Sequence, residues 1–371
     1  MKKSIARILA LVLALMMVLV IVACNKDNST PGSSAPAPES SAPAPESSAP
    51  AAAPSASTAP QDKITVRIGT TGARGHIMTE WMYQFIDAIE AKTDKFVVEP
   101  YPSSQFGTTN EMIEALLSNN LQAMGVPTPY YASFCPFVNI LDVPYLFPDN
   151  ETCFEFMNTH PEVVVKAFQE VGLFPVCWPY VTTHWIDSTV PIRSFADLKG
   201  LNIRGNNSDV WYEIYDAMGA NAVVIATADL PMALQQGTVD CHVGPFSMLY
   251  SLLMGIVKYD VQIPNVPTMD VFMFNDEFLQ SMSEADRTLF LDTCREVTMG
   301  INREMSIAMT EDFLKAFEEE GIEMTYMDDQ MDADMRAAFM PIKERFPTTY
   351  PDLADDYYEL TAAIEAFVNS K

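Results

Sequence analysis

Positive charge is scarce in this chain, which has 22 lysine and arginine residues against 49 aspartate and glutamate residues among its 371 residues. The formal net charge is therefore −27 at pH 7. Nucleic acids and anionic membrane surfaces are bound mainly through clustered lysine and arginine, so the composition argues against both as partners. A buried arginine in so acidic a chain is instead a candidate for binding an anion.

The sequence also lacks the short motifs of common enzymes and metal sites. It contains no GxSxG, no P-loop, no HxH and no HExxH, and its acidic runs do not have EF-hand spacing. Its six cysteines form no CxxC pair, and the five that follow Cys24 lie in apolar surroundings. That pattern favours free buried thiols, with a Cys135–Cys153 disulfide as the alternative. We therefore expect a protein that is not an enzyme and holds no metal or cofactor.

The first 61 residues have the pattern of an export signal followed by a tether. A positively charged start precedes an apolar run at 8–22, which is short for a membrane span. The sequence Ile-Val-Ala-Cys then resembles a lipobox, so we expect a signal peptide at 1–23 and acylation of Cys24. Residues 24–61 are rich in proline, alanine and serine, which favours an extended tether. This predicts lipid anchoring at the outer face of a membrane, with an uncleaved signal anchor as the alternative.

The residues from 62 onward alternate between strand and helix patterns. Their number, about 310, exceeds one typical core and suggests two lobes. Strand patterns occur at 64–69, 96–98, 122–126, 201–204 and 239–243, with helical patterns between them. This order predicts an α/β fold with mainly parallel sheets.

Two apolar runs, at 174–180 and 271–275, are predicted to be strands that cross between the lobes. We therefore expect the first lobe to contain residues 62–180 and about 271–300, and the second lobe to contain 181–270 and about 301–371 with the C-terminal helices.

A long uninterrupted helix is predicted in the C-terminal third. Ser283 and Asp286 form a helix-start pattern of the capping-box kind, and no proline occurs from there to Glu320. A helix of that length spans about 55 Å at the standard rise per residue. We expect it, or two nearly collinear helices, to brace both lobes.

Arg204 is the leading candidate for a ligand-binding residue. A short strand that begins at Leu201 places Arg204 at its carboxyl end, which is where ligands bind in α/β proteins. Asn206, Asn207 and Ser208 follow as a capping cluster for the next helix. A planar guanidinium suits a carboxylate, which it holds with two parallel hydrogen bonds. A surface or inter-lobe ion pair is the alternative role.

Histidine and tryptophan supply the other candidates. His76, His184 and His242 fall near the expected cleft, where a neutral imidazole offers one donor and one acceptor. Each could instead be a satisfied core residue, and their spacing fits no metal motif. Trp185 and Trp211 are interpreted as packing residues, with a place in the wall of the site as the alternative.

Four short segments occur in an order and spacing that together resemble those of a known family. They are YPSSQFG at 101–107, DVPYLF at 142–147, DLKGLNIR at 197–204 and ALQQGTVD at 233–240. With them, residues 63–368 resemble the DctP-type family of TRAP transporter solute-binding proteins. The resemblance implies a two-lobed, periplasmic-binding-protein-like (Venus flytrap) fold that holds a small organic acid between its lobes, with Arg204 on the carboxylate. It also implies a membrane permease with a small and a large subunit, driven by an ion gradient.

Two positions depart from the family pattern. His184 stands where many members have a second arginine, and Gly244 stands where an asparagine often binds the ligand, two residues after His242. The resemblance places a first-lobe contact near Thr128, and Asn206 lies beside the strand end that carries the arginine. A receptor that serves a sensor kinase or an ATP-driven importer is the alternative function.

Overall fold

A computed structural model describes residues 63–180, 184–205, 208–263 and 269–371, which belong to one compact unit of the chain. The expectations for the signal peptide, the tether, Cys24 and Asn206 lie outside the described residues. Within the described residues, no helix is both long enough and apolar enough to cross a membrane.

The described strands form two sheets. In chain order they are β1 (Ile64–Thr70), β2 (Phe96–Tyr101), β3 (Ala123–Pro127), β4 (Leu173–Cys177), β5 (His184–Ser188), β6 (Asn202–Gly205), β7 (Asn221–Val224), β8 (Cys241–Pro245), β9 (Tyr259–Gln262), β10 (Asp270–Asn275) and β11 (Glu323–Thr325). The first sheet has the order β2-β1-β3-β10-β4, and the second has the order β11-β9-β5-β8-β6-β7.

Helices cover and connect these sheets. In chain order they are α1 (Ile77–Lys92), α2 (Thr109–Leu117), α3 (Val138–Leu141), α4 (Asn150–Thr159), α5 (Glu162–Gln169), α6 (Asp209–Ala217), α7 (Leu230–Gln235), α8 (Phe246–Met248), α9 (Asp276–Ser281), α10 (Glu284–Val297), α11 (Arg303–Glu320), α12 (Asp329–Thr349) and α13 (Ala354–Asn369).

Both sheets contain parallel and antiparallel pairs, and β11, which follows the last passage from the first sheet, runs parallel to β9. β1 runs parallel to β2 and β3, whereas β10 runs antiparallel to β3 and β4. In the second sheet β6 runs parallel to β7 and β8, and β5 runs antiparallel to β8 and β9. The prediction of mainly parallel sheets therefore holds only in part.

The chain passes between the sheets three times, and the third passage runs from β10 through α9, α10 and α11 to β11. β4 belongs to the first sheet and β5 to the second, while β9 belongs to the second and β10 to the first. The runs predicted to cross are themselves strands of the first sheet, and each of the first two passages lies beside the predicted strand.

The long bracing helix is confirmed. α10 and α11 are joined by residues 298–302 in π-helical geometry, so the helix continues from Glu284 to Glu320. α10 packs on α1 and β4 of the first lobe, whereas α11 packs on α8 and the turn after it in the second. One helical rod therefore contacts both lobes.

The C-terminal helix packs on helices of the first lobe, whereas the expected lobe boundary placed it in the second lobe. α12 packs on α6, but α13 packs on α4 and α5, which precede β4 of the first sheet. The ring of Phe367 lies 5.6 Å from that of Phe156. The sequence shows that α13 has an apolar face but not which helices that face covers.

The helix after Arg204 is capped from the first lobe. Asn139 Oδ1 accepts hydrogen bonds of 3.1 Å from the backbone N–H of Asp209 and from Ser208 Oγ. Ser208 occupies the N-cap position but makes no capping hydrogen bond of its own. The predicted local cap is therefore replaced, at Ser208, by a contact that joins the lobes.

Candidate functional site

A cavity of about 30 Å³ lies between the two sheets and is lined by both lobes. Its polar lining comprises Thr71, His76, Tyr130 and Asp270 from the first lobe and His184, Arg204 and Thr227 from the second. A larger cavity of about 310 Å³ adjoins it and shares four lining residues. The inner space holds little more than water in this closed arrangement, so a bound organic acid requires the lobes to separate or to shift.

Arg204 lies at the end of β6 and is 5% exposed. Its Nε donates to the carbonyl of Ile225 at 3.1 Å, and its Nη2 donates to Thr227 Oγ1 at 3.1 Å. Nη2 also donates to the hydroxyl of Tyr130, which belongs to the first lobe. The strand end and these partners fix a buried cation that both lobes contact.

Two of the predicted histidines line the cavity. Burial lowers the pKa of His76 to about 4, and burial followed by the neighbouring histidines lowers that of His184 to about 3. Both imidazoles are therefore neutral at pH 7. His76 Nδ1 accepts from the backbone N–H of Met78 at 3.3 Å, which leaves Nε2–H as a donor.

His242 and Gly244 lie behind the wall and outside the set of lining residues. The imidazole of His242 is fully buried, with Nε2 2.9 Å from Met248 Sδ, and Met248 lines the cavity. A Cβ at position 244 would lie 2.3 Å from His242 Cε1. The ring therefore occupies the space that a side chain at position 244 would need, which accounts for a glycine at this position.

Three other predicted residues do not line the cavity. Trp185 packs on Phe246 with ring centroids 5.1 Å apart, and Trp211 packs on Tyr215, so the packing interpretation fits both. Thr128 is buried one residue beyond β3, and its Oγ1 has no hydrogen-bond partner in the described part of the chain.

Sequence reasoning missed four of the polar lining residues, one of which is Thr71 in the loop after β1. Tyr130, Thr227 and Asp270 reach the cavity from separate loops and strands. The signal that was available is Asp270, a carboxyl group at the start of the apolar strand VFMFN, because a charged residue is rarely buried there without a function.

A row of polar residues extends from Arg204 across the second sheet. The strand register places Arg204 opposite His242, His242 opposite Asp187, and Asp187 opposite Asp260. His242 Nδ1 lies 3.1 Å from Asp187 Oδ2, and both side chains are fully buried. Burial raises the pKa of both aspartates well above the usual value, while burial and then Arg204 lower that of His242 to about 3. Two adjacent buried carboxylates repel each other, so the pair favours the protonated form.

Comparison with known proteins agrees with this architecture. The family model described as bacterial extracellular solute-binding protein, family 7, matches residues 68–348. The 2,3-diketo-L-gulonate-binding periplasmic protein YiaO of Escherichia coli K12 is 27% identical over 172 residues, which cover 45% of this chain and 52% of that protein.

Solved structures show the same fold. A TRAP periplasmic solute-binding protein from Desulfovibrio salexigens, with bound orotic acid, matches with a TM-score of 0.75 at 23% identity, covering 81% of this chain and 100% of that chain. The sugar acid binding protein DctPAm from Advenella mimigardefordensis, in complex with galactonate, matches with a TM-score of 0.76 at 19% identity, covering 82% and 99%.

These matches confirm the predicted two-lobed α/β fold and the resemblance stated from the sequence motifs. The family and the solved neighbours are binding proteins. The chain therefore belongs to the bacterial extracellular solute-binding proteins of family 7.

Proposed function

We propose that this chain captures a small organic acid between its lobes and holds the carboxylate on Arg204. The observation that carries the proposal is the position of Arg204, a buried cation at a strand end in a cavity lined by both lobes. Solved relatives have orotic acid, D-glucuronate, succinate and L-malate bound. Each of these acids offers a carboxylate that suits a guanidinium.

Capture and closure are coupled through the partners of Arg204. Tyr130 Oη and Thr227 Oγ1 lie 3.3 Å apart and both accept from the guanidinium Nη2. An incoming carboxylate competes for the same donors, so it replaces a bridge between the lobes with a stronger ion pair. The ligand then favours the closed state to the extent that its contacts are better there.

The test is calorimetry on purified protein with orotate, D-glucuronate, succinate, L-malate and galactonate. Arg204→Met should weaken binding of any acid that the wild type binds by about 2–5 kcal/mol, the scale for breaking a buried charge pair. Arg193→Met is the matched control, because Arg193 belongs to the second lobe and forms an exposed ion pair with Glu323. Near-native affinity in the Arg204 variant would show that the carboxylate binds elsewhere.

We further propose that Cys24 carries the lipid anchor and that the loaded receptor delivers its ligand to a TRAP permease with small and large membrane subunits. The lipobox sequence before Cys24 and the membership of the family support these steps. Membrane fractionation tests the anchor: Cys24→Ala should move the protein from the membrane fraction to the soluble fraction. An unchanged distribution contradicts lipid attachment at this residue.

A further inference from the structure

The cavity between the lobes contains a carboxyl group that has no hydrogen-bond partner among the described residues. Asp270 begins β10 in the first lobe, is 2% exposed and lines the cavity. Neither of its oxygens accepts a hydrogen bond, and the residue forms no ion pair, within the described part of the chain. A buried carboxyl group without a donor is costly, so a group at this position normally has its donor supplied from elsewhere.

The wall around Asp270 carries only one fixed cation among its described residues. That cation is Arg204, which comes from the second lobe, whereas His76 and His184 are neutral because burial lowers their pKa values. The cavity thus presents a cation on one lobe and a carboxyl group on the other. Such a pair fits a ligand that has a carboxylate at one end and a hydrogen-bond donor at the other.

We propose that Asp270 determines ligand specificity, and that it selects organic acids with a single carboxylate and a hydroxyl or ammonium group over dicarboxylates. The proposal rests on the proposed function of Arg204, which takes the carboxylate. The donor of the ligand then satisfies the oxygens of Asp270, and this contact forms only when the lobes close. A second carboxylate at the same place would face a carboxyl group with no cation to compensate it.

The pH dependence of the selection follows from the groups that face Asp270. Burial raises its pKa to about 7, so it is protonated at pH 5.5 and largely ionised at pH 8. The other titratable groups of the cavity wall are His76, His184, Tyr130 and Arg204, and the two imidazoles have pKa values below this range. Discrimination against a second carboxylate should therefore be strongest at pH 8 and weaken at pH 5.5.

The probes are D-gluconate, D-glucarate, 6-aminohexanoate and hexanoate, measured by calorimetry at pH 8. Gluconate and glucarate share one carbon skeleton and differ at the end that carries the second carboxylate. Hexanoate lacks any donor at its far end. In the wild type we expect gluconate or 6-aminohexanoate to bind about tenfold or more tightly than hexanoate and glucarate, since a site built for a donor rejects analogues without it. A preference for 6-aminohexanoate identifies ammonium as the donor, and a preference for gluconate identifies hydroxyl.

The variant Asp270→Asn keeps the shape and removes the negative charge. In this variant the roughly tenfold preference for gluconate over glucarate should disappear. The affinity for 6-aminohexanoate should fall, and the affinity for gluconate should change less. Asp276→Asn is the control, because Asp276 lies six residues further on, at the start of α9, and is not among the cavity-lining residues. Circular dichroism and the melting temperature of each variant establish that it is folded.

The outcomes separate this inference from the proposed function. If gluconate and glucarate bind the wild type equally and Arg204→Met abolishes both, the role of Asp270 is wrong and Arg204 still binds the carboxylate. If glucarate is the only probe that binds, the proposed selection against dicarboxylates by Asp270 is also wrong. If Arg204→Met leaves the affinity for gluconate unchanged, the proposed function itself fails.

Discussion

Gly244 leaves room for the buried ring of His242 behind the wall of the candidate site. The imidazole of His242 is held between Asp187, 3.1 Å away, and Met248, 2.9 Å away. It fills the position where a side chain at 244 would project. The ring contacts Met248, which lines the cavity, and is not itself among the lining residues.

A substitution at this glycine tests whether the ring of His242 requires that space. Gly244→Ala should lower the free energy of unfolding by about 1–3 kcal/mol, the usual cost of overpacking, because the new Cβ collides with a ring that cannot move aside. In the background of His242→Ala the same substitution should cost little. Urea denaturation of the two single variants and the double variant measures the coupling between the sites.

The control for this cycle is Gly300→Ala. Gly300 lies in the long helix, and a Cβ there would meet nothing within 4 Å, so its replacement should leave stability unchanged or raise it. Equal costs for Gly244→Ala in the presence and absence of the His242 ring contradict the steric explanation.

At the scale of the elements, the long helix depends on its central π-helical turn. Trp81 Nε1 of α1 donates to Thr298 Oγ1 at 2.7 Å, which joins the turn to the first lobe. Just beyond it, Ser306 Oγ donates to the carbonyl of Tyr180 at 2.7 Å, at the point where the chain leaves the first sheet. The bracing helix thus holds the crossing segment, and π-helical turns often mark such functional positions.

The sequence predicts the secondary-structure elements well and the tertiary contacts between them poorly. Alternation and capping residues locate the strand that ends at Arg204 and the long helix, because both signals are local. The contact of Tyr130 with Arg204 joins residues that are 74 positions apart and lie on different lobes. No periodicity encodes that distance, so the first-lobe side of the cavity, including Asp270, became visible only in the folded chain.

The departures from the prediction have the same cause. The cap of α6 comes from Asn139 and the partner of α13 comes from the first lobe, whereas local patterns suggest nearer groups. A local cap and a distant cap satisfy the same backbone N–H, so the tertiary arrangement decides between them.

At the scale of the whole molecule, buried ionisable groups set the dependence of stability on pH. Burial lowers the pKa values of His76, His184 and His242, so they add stability above pH 6.5 that is lost as the pH falls toward 4. Burial raises the pKa of Asp142 to about 8 and that of Asp270 to about 7. These shifts change stability with pH in the direction opposite to that of the histidines. The stabilisation from the two aspartates is complete below pH 4 and is lost as the pH rises through 7 and 8.

Stability should therefore fall between pH 7 and pH 8.5, where the histidines no longer compensate. Asp142 contributes more than Asp270 in this range, because its carboxyl group is buried beside Ser208 and Trp211 and carries the higher of the two pKa values. Asp142→Asn should remove about 1 kcal/mol of the fall, as expected for a carboxyl group with a pKa near 8 over that interval. Urea denaturation at the two pH values measures it, with the exposed Asp312→Asn as control. A variant whose stability falls as steeply as that of the wild type shows that Asp142 is already ionised at neutral pH and that the first lobe holds it as a charged group.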